Sequence, residues 1–168
     1  YAAGTDPARM LVLLAGTAGA LSALHGRELM HRDLTPDHVV VGKDEQGQER
    51  PVLIELGLAP VAASSGMPGH PGSPPYVAPE QVAGEEVDAR ADIHALGQMI
   101  AEIWGGRVPS RANLGRLLKR DAENQMPRAI GDLVRGMTAA DPARRKADLG
   151  DIVENLMTLQ EQADQDGA

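Results

Sequence analysis

The chain has 168 residues, 42% of them hydrophobic, and a formal net charge of −8. That length suits one domain with a core of its own, and the apolar fraction argues against disorder. The acidic balance, with no basic run longer than Arg144-Arg145-Lys146, argues against nucleic acid or an anionic membrane surface as the main partner. Cysteine is absent, which excludes disulfides and thiolate metal sites and fits a cytoplasmic location. Phe is absent too, so the core must be aliphatic around Trp104, Tyr76 and Tyr1.

The chain opens on Tyr1 rather than Met, as expected of a piece of something longer. Asp6 to His25 reads as a helix, with Asp6 as cap, Pro7 in its first turn and Leu14, Ala18, Leu21 and Leu24 at helical spacing. Its apolar stretch, Met10 to Leu24, is interrupted by Gly16, Thr17, Gly19 and Ser22 and falls short of the roughly 20 residues of a membrane span. A buried helix is expected instead. Glu28 to Met30 reads as a short strand. Val39-Val40-Val41 and Val52-Leu53-Ile54 read as a hairpin around the polar stretch Gly42 to Arg50. From Ala59 to Pro75 the density of Gly and Pro predicts a loop with no regular element.

Ala91 to Trp104 is the clearest buried helix, with Ile93, Leu96, Ile100 and Ile103 on one side and Gly105-Gly106 to stop it. Leu114 to Lys119, Pro127 to Met137 and Asp148 to Gln160 complete the helices, and residues 163–168 read as a frayed tail. The sum is a mainly α domain (an α+β family member), a helical bundle with one or two small β-hairpins.

The informative stretch is His31-Arg32-Asp33-Leu34-Thr35-Pro36-Asp37-His38. It resembles the protein-kinase catalytic loop, H-R-D-L-x-x-x-N. Further landmarks follow in the family's order: Glu55-Leu56-Gly57 where D-F-G is expected, and Gly72 to Glu80, which ends on Ala78-Pro79-Glu80 like an activation segment. Asp92 and Gly97 fall at D-x-x-x-x-G spacing, and Asp141-Pro142 with Arg145 match a late D-P-x-x-R. The resemblance is to the C-terminal lobe of bacterial-type serine/threonine kinases. It implies a C-lobe over residues 1–162, catalytic-loop-like at 31–38 and activation-segment-like at 55–80, with the N-lobe absent.

The same resemblance says which groups should handle the triphosphate, and most are altered. No G-x-G-x-x-G occurs, and no lysine precedes Asp33. Asp33 matches the catalytic base, although it could instead only brace its loop. Thr35 stands where a lysine often meets the γ-phosphate. His38 replaces the metal-binding asparagine, and Glu55 replaces the D-F-G aspartate. His38 and Glu55 are thus the candidate cofactor and metal ligands, each with a bland alternative: a packed or capping histidine, a solvated strand-end carboxylate. Mg²⁺ prefers oxygen, so an imidazole is a poor substitute, and the extra methylene of Glu55 displaces its carboxylate by about an ångström, enough to cost ~10²-fold in rate. His25, His70 and His94 read as structural.

The resemblance also implies braces: Glu80 paired with Arg145, and Asp92 bonded to the backbone around His31-Arg32. Ser64, Ser65 and Ser73 are candidate phosphorylation sites, with Arg32 as the matching receiver, or else simply solubilise a loop. Two functions stay open: a non-catalytic pseudokinase module needing no cofactor, and the C-lobe of a longer, weakly active kinase using Mg²⁺ and ATP. A plain helical interaction domain with coincidental motifs is the third. In the first two, the face near residues 1–15 and the hairpin needs covering by an N-lobe segment, a protein partner or a second copy; the oligomeric state is open.

Overall fold

The computed structural model describes residues 7–57, 59–60, 75–105, 126–146 and 148–166. Helix α1 (Pro7–His25) begins on a proline, whose missing N–H belongs to a turn that leaves its amides unbonded anyway. Asp6 lies outside the described residues. Leu11, Leu14, Ala15, Ala18 and Leu21 are buried along one side. Contrary to the reading of Met10–Leu24 as too short, the window Ala8–His25, of mean hydropathy 1.3, is long and apolar enough to cross a membrane by composition alone. In the fold that apolar side lies chiefly along the last helix.

Strand β1 (Leu29–Met30) follows a tight turn in which Glu28 adopts φ 58, so the expected strand loses its first residue. Strands β2 (Val39–Lys43) and β3 (Glu49–Leu53) form the hairpin, Val40 opposite Val52 and Lys43 opposite Glu49. The expected loop Gly42–Arg50 shrinks to Asp44–Gln48, whose turn is held by Asp44 Oδ1 accepting from the Gln46 and Gln48 amides at 3.0 and 2.8 Å. Arg9 clamps the base of this turn, its guanidinium donating to both Glu49 carboxylate oxygens at 2.6 and 2.8 Å.

The reading of Ala59–Pro75 as devoid of regular elements is corrected at its start. Strand β4 (Ala59–Pro60) pairs antiparallel with β1, Leu29 opposite Pro60. A two-stranded sheet is all edge, so a proline without an N–H is tolerated there. Residues 61–74, with Ser64, Ser65, His70 and Ser73, lie outside the described residues, as does the short helix expected at Leu114–Lys119.

Helix α2 (Pro79–Ala83) and the single 3₁₀ turns Pro36–His38 and Pro142–Arg144 are too short to leave a periodic signal, and none was foreseen. Helix α3 (Arg90–Gly105) is the hub: residues 91–101 are buried without exception. Helix α4 (Arg128–Met137) packs on it, and α5 (Leu149–Asp166) on α1. Asp148 accepts from the Asp151 amide at 3.1 Å, capping α5. That helix runs to Asp166, so residues 163–166 are helical rather than frayed; Leu159 and Ala163 extend its stripe onto the core.

The contact of α3 with α4 is made at Gly97. A Cβ there would lie 2.7 Å from Thr138 Cγ2 and 2.9 Å from Met137 Cβ. Gly97→Ala should therefore destabilise the fold by about 1–3 kcal/mol despite alanine's better helix propensity. Thermal unfolding checks it: an unchanged or raised Tm would mean that the two helices are not in close contact.

Candidate functional site

The stretch His31–His38 links β1 to β2, and its backbone is gripped from outside. Asp92, 1% exposed on α3, accepts from the His31 amide at 2.8 Å through Oδ2 and from the Arg32 amide at 2.7 Å through Oδ1. The same Oδ2 accepts from His25 Nε2–H at 2.8 Å, which gives that histidine its structural role. The Gly57 amide donates to the His31 carbonyl at 3.2 Å, and Gln81 Nε2 to the Arg32 carbonyl at 3.1 Å. These contacts hold Arg32 at φ 67, a left-handed conformation that costs energy for any residue with a Cβ. The expected bond from Asp92 to this backbone is present.

Asp33 and His38 come together. The His38 Nδ1–H donates to the Asp33 carbonyl at 2.6 Å and lies 3.8 Å from Asp33 Oδ2. The ring stacks on His31 with centroids 5.9 Å apart and planes at 21°. His31 is fully buried, and neither ring nitrogen has a hydrogen-bond partner of good geometry among the described residues. Burial pushes its pKa below the ordinary 6.5, with the Asp92 charge pulling back only part of the way. Thr35 is 5% exposed and walled into the loop, and its carbonyl accepts from the His38 amide at 3.0 Å, closing the turn that follows it.

Glu55 is exposed, at φ 56. Two ties place its backbone beside the loop: the Ile54 amide donates to the His38 carbonyl at 3.0 Å, and Gly57 donates to His31 as above. Among the described residues no hydrogen bond or ion pair joins Glu55 to Asp33 or His38. Donor chemistry tests the implied ion. Mg²⁺ wants oxygens at about 2.0–2.1 Å in near-octahedral array. Here the family's two ion-binding positions hold an imidazole with one nitrogen bound to a carbonyl and a longer, solvent-exposed carboxylate. No three His, Asp or Glu side chains among the described residues are grouped to hold a metal ion. The donors do not fit Mg²⁺.

The hairpin face expected to need covering is exposed at particular side chains. Val40 and Val52, cross-strand partners, are 46% and 42% exposed, and Ile54 is 36% exposed on the turn leading to Glu55. The alternation Val39-Val40-Val41 could have signalled it, since a β-strand must show one valine to each face. On the other side, Met10, Leu13, Leu14, Pro36, Val41 and Ile103 line an apolar groove between α1, the hairpin and α3.

The expected brace from the activation-segment end is also present. Arg145 donates through Nη1 and Nη2 to Glu80 at 2.6 and 3.0 Å, both side chains almost wholly buried. Arg145 also reaches the carbonyls of Arg90 at 2.8 Å and Ala139 at 3.1 Å. Burial resists the charge on Glu80, but the Arg145 bonds, the helix amide and the guanidinium charge together bring its pKa below the ordinary value. Tyr76 donates to Glu102 on α3; burial first, then that bond and the Glu102 charge, push its phenol pKa up.

A helical lobe whose H-R-D loop is clamped by a buried aspartate, and whose A-P-E glutamate is locked to a distant arginine, defines a protein-kinase-like class. The protein kinase domain family matches residues 5–163, and the chain belongs to that family. It is 32% identical over 152 residues to serine/threonine-protein kinase PknF of Mycobacterium tuberculosis, covering 88% of this chain and 32% of that protein. It is 30% identical to PknJ of the same organism, covering 90% and 28%. The crystal structure of the M. tuberculosis PknI kinase domain superposes with a TM-score of 0.70 at 26% identity, covering 95% of this chain and 58% of that one. The chain thus spans about a third or less of those two curated relatives. The bacterial serine/threonine kinase resemblance is correct.

Cutting the Glu80–Arg145 pair by Arg145→Met should cost about 3–5 kcal/mol in denaturant unfolding, because a buried carboxylate is left alone. A loss under 1 kcal/mol would show the pair to be solvated. Stability should peak between about pH 6.5 and 10. Below 6.5 the unfolded chain takes up a proton that His31 refuses in the fold. Below about 4.5 the contribution of Glu80 is lost as well. Above 10 the unfolded chain sheds a proton that Tyr76 keeps. Unfolding midpoints across pH check this, and His31→Leu should remove the first acid limb.

Proposed function

We propose that this chain is the C-terminal lobe of a pseudokinase, a kinase-like module in the cytoplasm that acts by binding protein rather than by transferring phosphate. The observation that carries this reading is the fate of His38. It stands where the family's metal-binding asparagine would be, and its Nδ1–H is bound to the Asp33 carbonyl at 2.6 Å, so that nitrogen cannot ligate an ion. Phosphoryl transfer is mostly positioning plus charge neutralisation around the triphosphate and its ion. Thr35 brings no positive charge, and the Glu55 carboxylate is carried one methylene further out than the aspartate it replaces. Asp33 then serves to hold the loop through its carbonyl.

The apolar groove beside α1 and the exposed Val40, Val52 and Ile54 support a covered face, occupied by the rest of a kinase domain or by a partner chain. No nucleic acid or membrane is needed for this role. The second reading, a longer and weakly active Mg²⁺- and ATP-dependent kinase, is favoured by one observation: the loop backbone around Asp33 is held intact.

Phosphate transfer to a general protein substrate by the full protein, with Mg²⁺ or Mn²⁺, decides between them. No transfer above background is expected, and Asp33→Asn should change nothing. Turnover that Asp33→Asn abolishes would overturn the pseudokinase and establish the kinase. The triple change Thr35→Lys, His38→Asn and Glu55→Asp should raise ATP binding, read as a thermal shift, if those three positions are where the site was lost.

A further inference from the structure

The sequence gives Gln81 no chemical part, yet its side chain is bound at both ends. Oε1 accepts from the Ala78 amide at 3.0 Å, and Nε2 donates to the Arg32 carbonyl at 3.1 Å. The first bond is half of a capping box, the third helical residue reaching back to the N-cap amide of α2. Ala78 has no side-chain oxygen to return it. The second bond crosses 49 residues to the loop.

The target of that second bond matters. The Arg32 carbonyl belongs to the peptide that carries the Asp33 amide, so its direction sets where the next Cα and its carboxylate go. The preceding amides, of His31 and Arg32, are fixed by Asp92, and the His31 carbonyl is bonded by Gly57. Asp92 sits on the buried hub helix. Gln81 is half-buried and sits directly after Ala78-Pro79-Glu80, at the end of the segment running from Glu55. Asp92 and Gly57 hold this left-handed turn from the hub helix and from the start of the segment, and Gln81 holds it from the segment's end.

We infer that Gln81 is a positioning residue that couples the docking of the activation-segment end to the orientation of the Arg32–Asp33 peptide. Oε1 reads whether α2 is formed, and Nε2 transmits this to the loop. Downstream, Asp33 holds His38 through its own carbonyl, so the coupling extends to the ring in the metal-ligand position. The contact stands whether or not the loop performs chemistry; only the meaning of Asp33 rests on the kinase-like reading.

Two substitutions separate the halves of the amide. Gln81→Glu can still accept from Ala78 but cannot donate to Arg32. Gln81→Lys can donate to Arg32 but cannot accept from Ala78. Amide hydrogen exchange by mass spectrometry on the full protein reads both segments and requires neither ATP turnover nor an added partner. Gln81→Glu should speed exchange at residues 31–33 by about three- to tenfold, the worth of one net hydrogen bond, and leave residues 78–83 at the wild-type rate. Gln81→Lys should do the reverse. A loop indifferent to Gln81→Glu, or both variants loosening both segments alike, would overturn the coupling. If either charged variant does not fold, Gln81→Met loses both bonds without adding charge, and wild-type exchange at residues 31–33 in that variant overturns it equally.

Discussion

The fold around the loop depends on one buried carboxylate. Asp92 is 1% exposed, where an uncompensated negative charge would be strongly unfavourable. Three donors answer it: the His31 and Arg32 amides and the His25 ring. The arrangement works in both directions. The carboxylate needs those N–H groups, and the two amides, pulled onto one side chain, turn the chain at Arg32 into its left-handed conformation. Because Asp92 lies on the helix whose residues 91–101 are all buried, the loop inherits the rigidity of the core. His25, at the end of α1, ties a second core helix to the same point.

Structure and chemistry are carried by different atoms here. The braces are buried side chains, and each is costly to alter: Asp92 with its three donors, Glu80 with Arg145, Gly97 against α4. Thr35 packs into the loop without bonding outward, and Glu55 is open to solvent. Phosphate-handling positions can therefore depart from the family pattern at little cost to folding, whereas the braces cannot. That asymmetry explains how a chain can belong to the protein kinase domain family along residues 5–163 while offering a donor set that does not fit Mg²⁺.

The long helices were legible because their apolar residues repeat over several turns, as Leu14, Ala18, Leu21 and Leu24 do in α1. The Glu80–Arg145 and Asp92 braces were legible only through the order of motifs, since nothing in local spacing links residues 65 and 61 positions apart. Element ends were the weak point. Lys43, Glu49 and Arg50 look like loop residues because they face solvent, yet they are paired strand. Pro60 looks like a strand breaker, but on a two-stranded edge it breaks nothing. Helix α5 outran its expected end because Ala163 is too small to register as an apolar anchor and still packs on the core. At the site, the residue types were readable and their engagement was not: that His38 turns its Nδ1 toward a carbonyl is a fact of side-chain geometry.

The loop's shape follows from how it is held more than from what it displays. Its grips at His31 and Arg32 fall on main-chain amides and carbonyls, supplied by Asp92, Gly57 and Gln81. A main chain held from outside keeps its path when its own side chains change. His38 can thus replace an asparagine, and Thr35 a lysine, without the turn unwinding; the histidine then satisfies itself on the nearest carbonyl and stacks on His31. Departure of His38 and Thr35 from the family pattern and persistence of the loop are not in tension, because the loop is held by a separate set of hydrogen bonds. A kinase-like lobe built this way can change the side chains its loop displays one at a time, with the fold intact at each step.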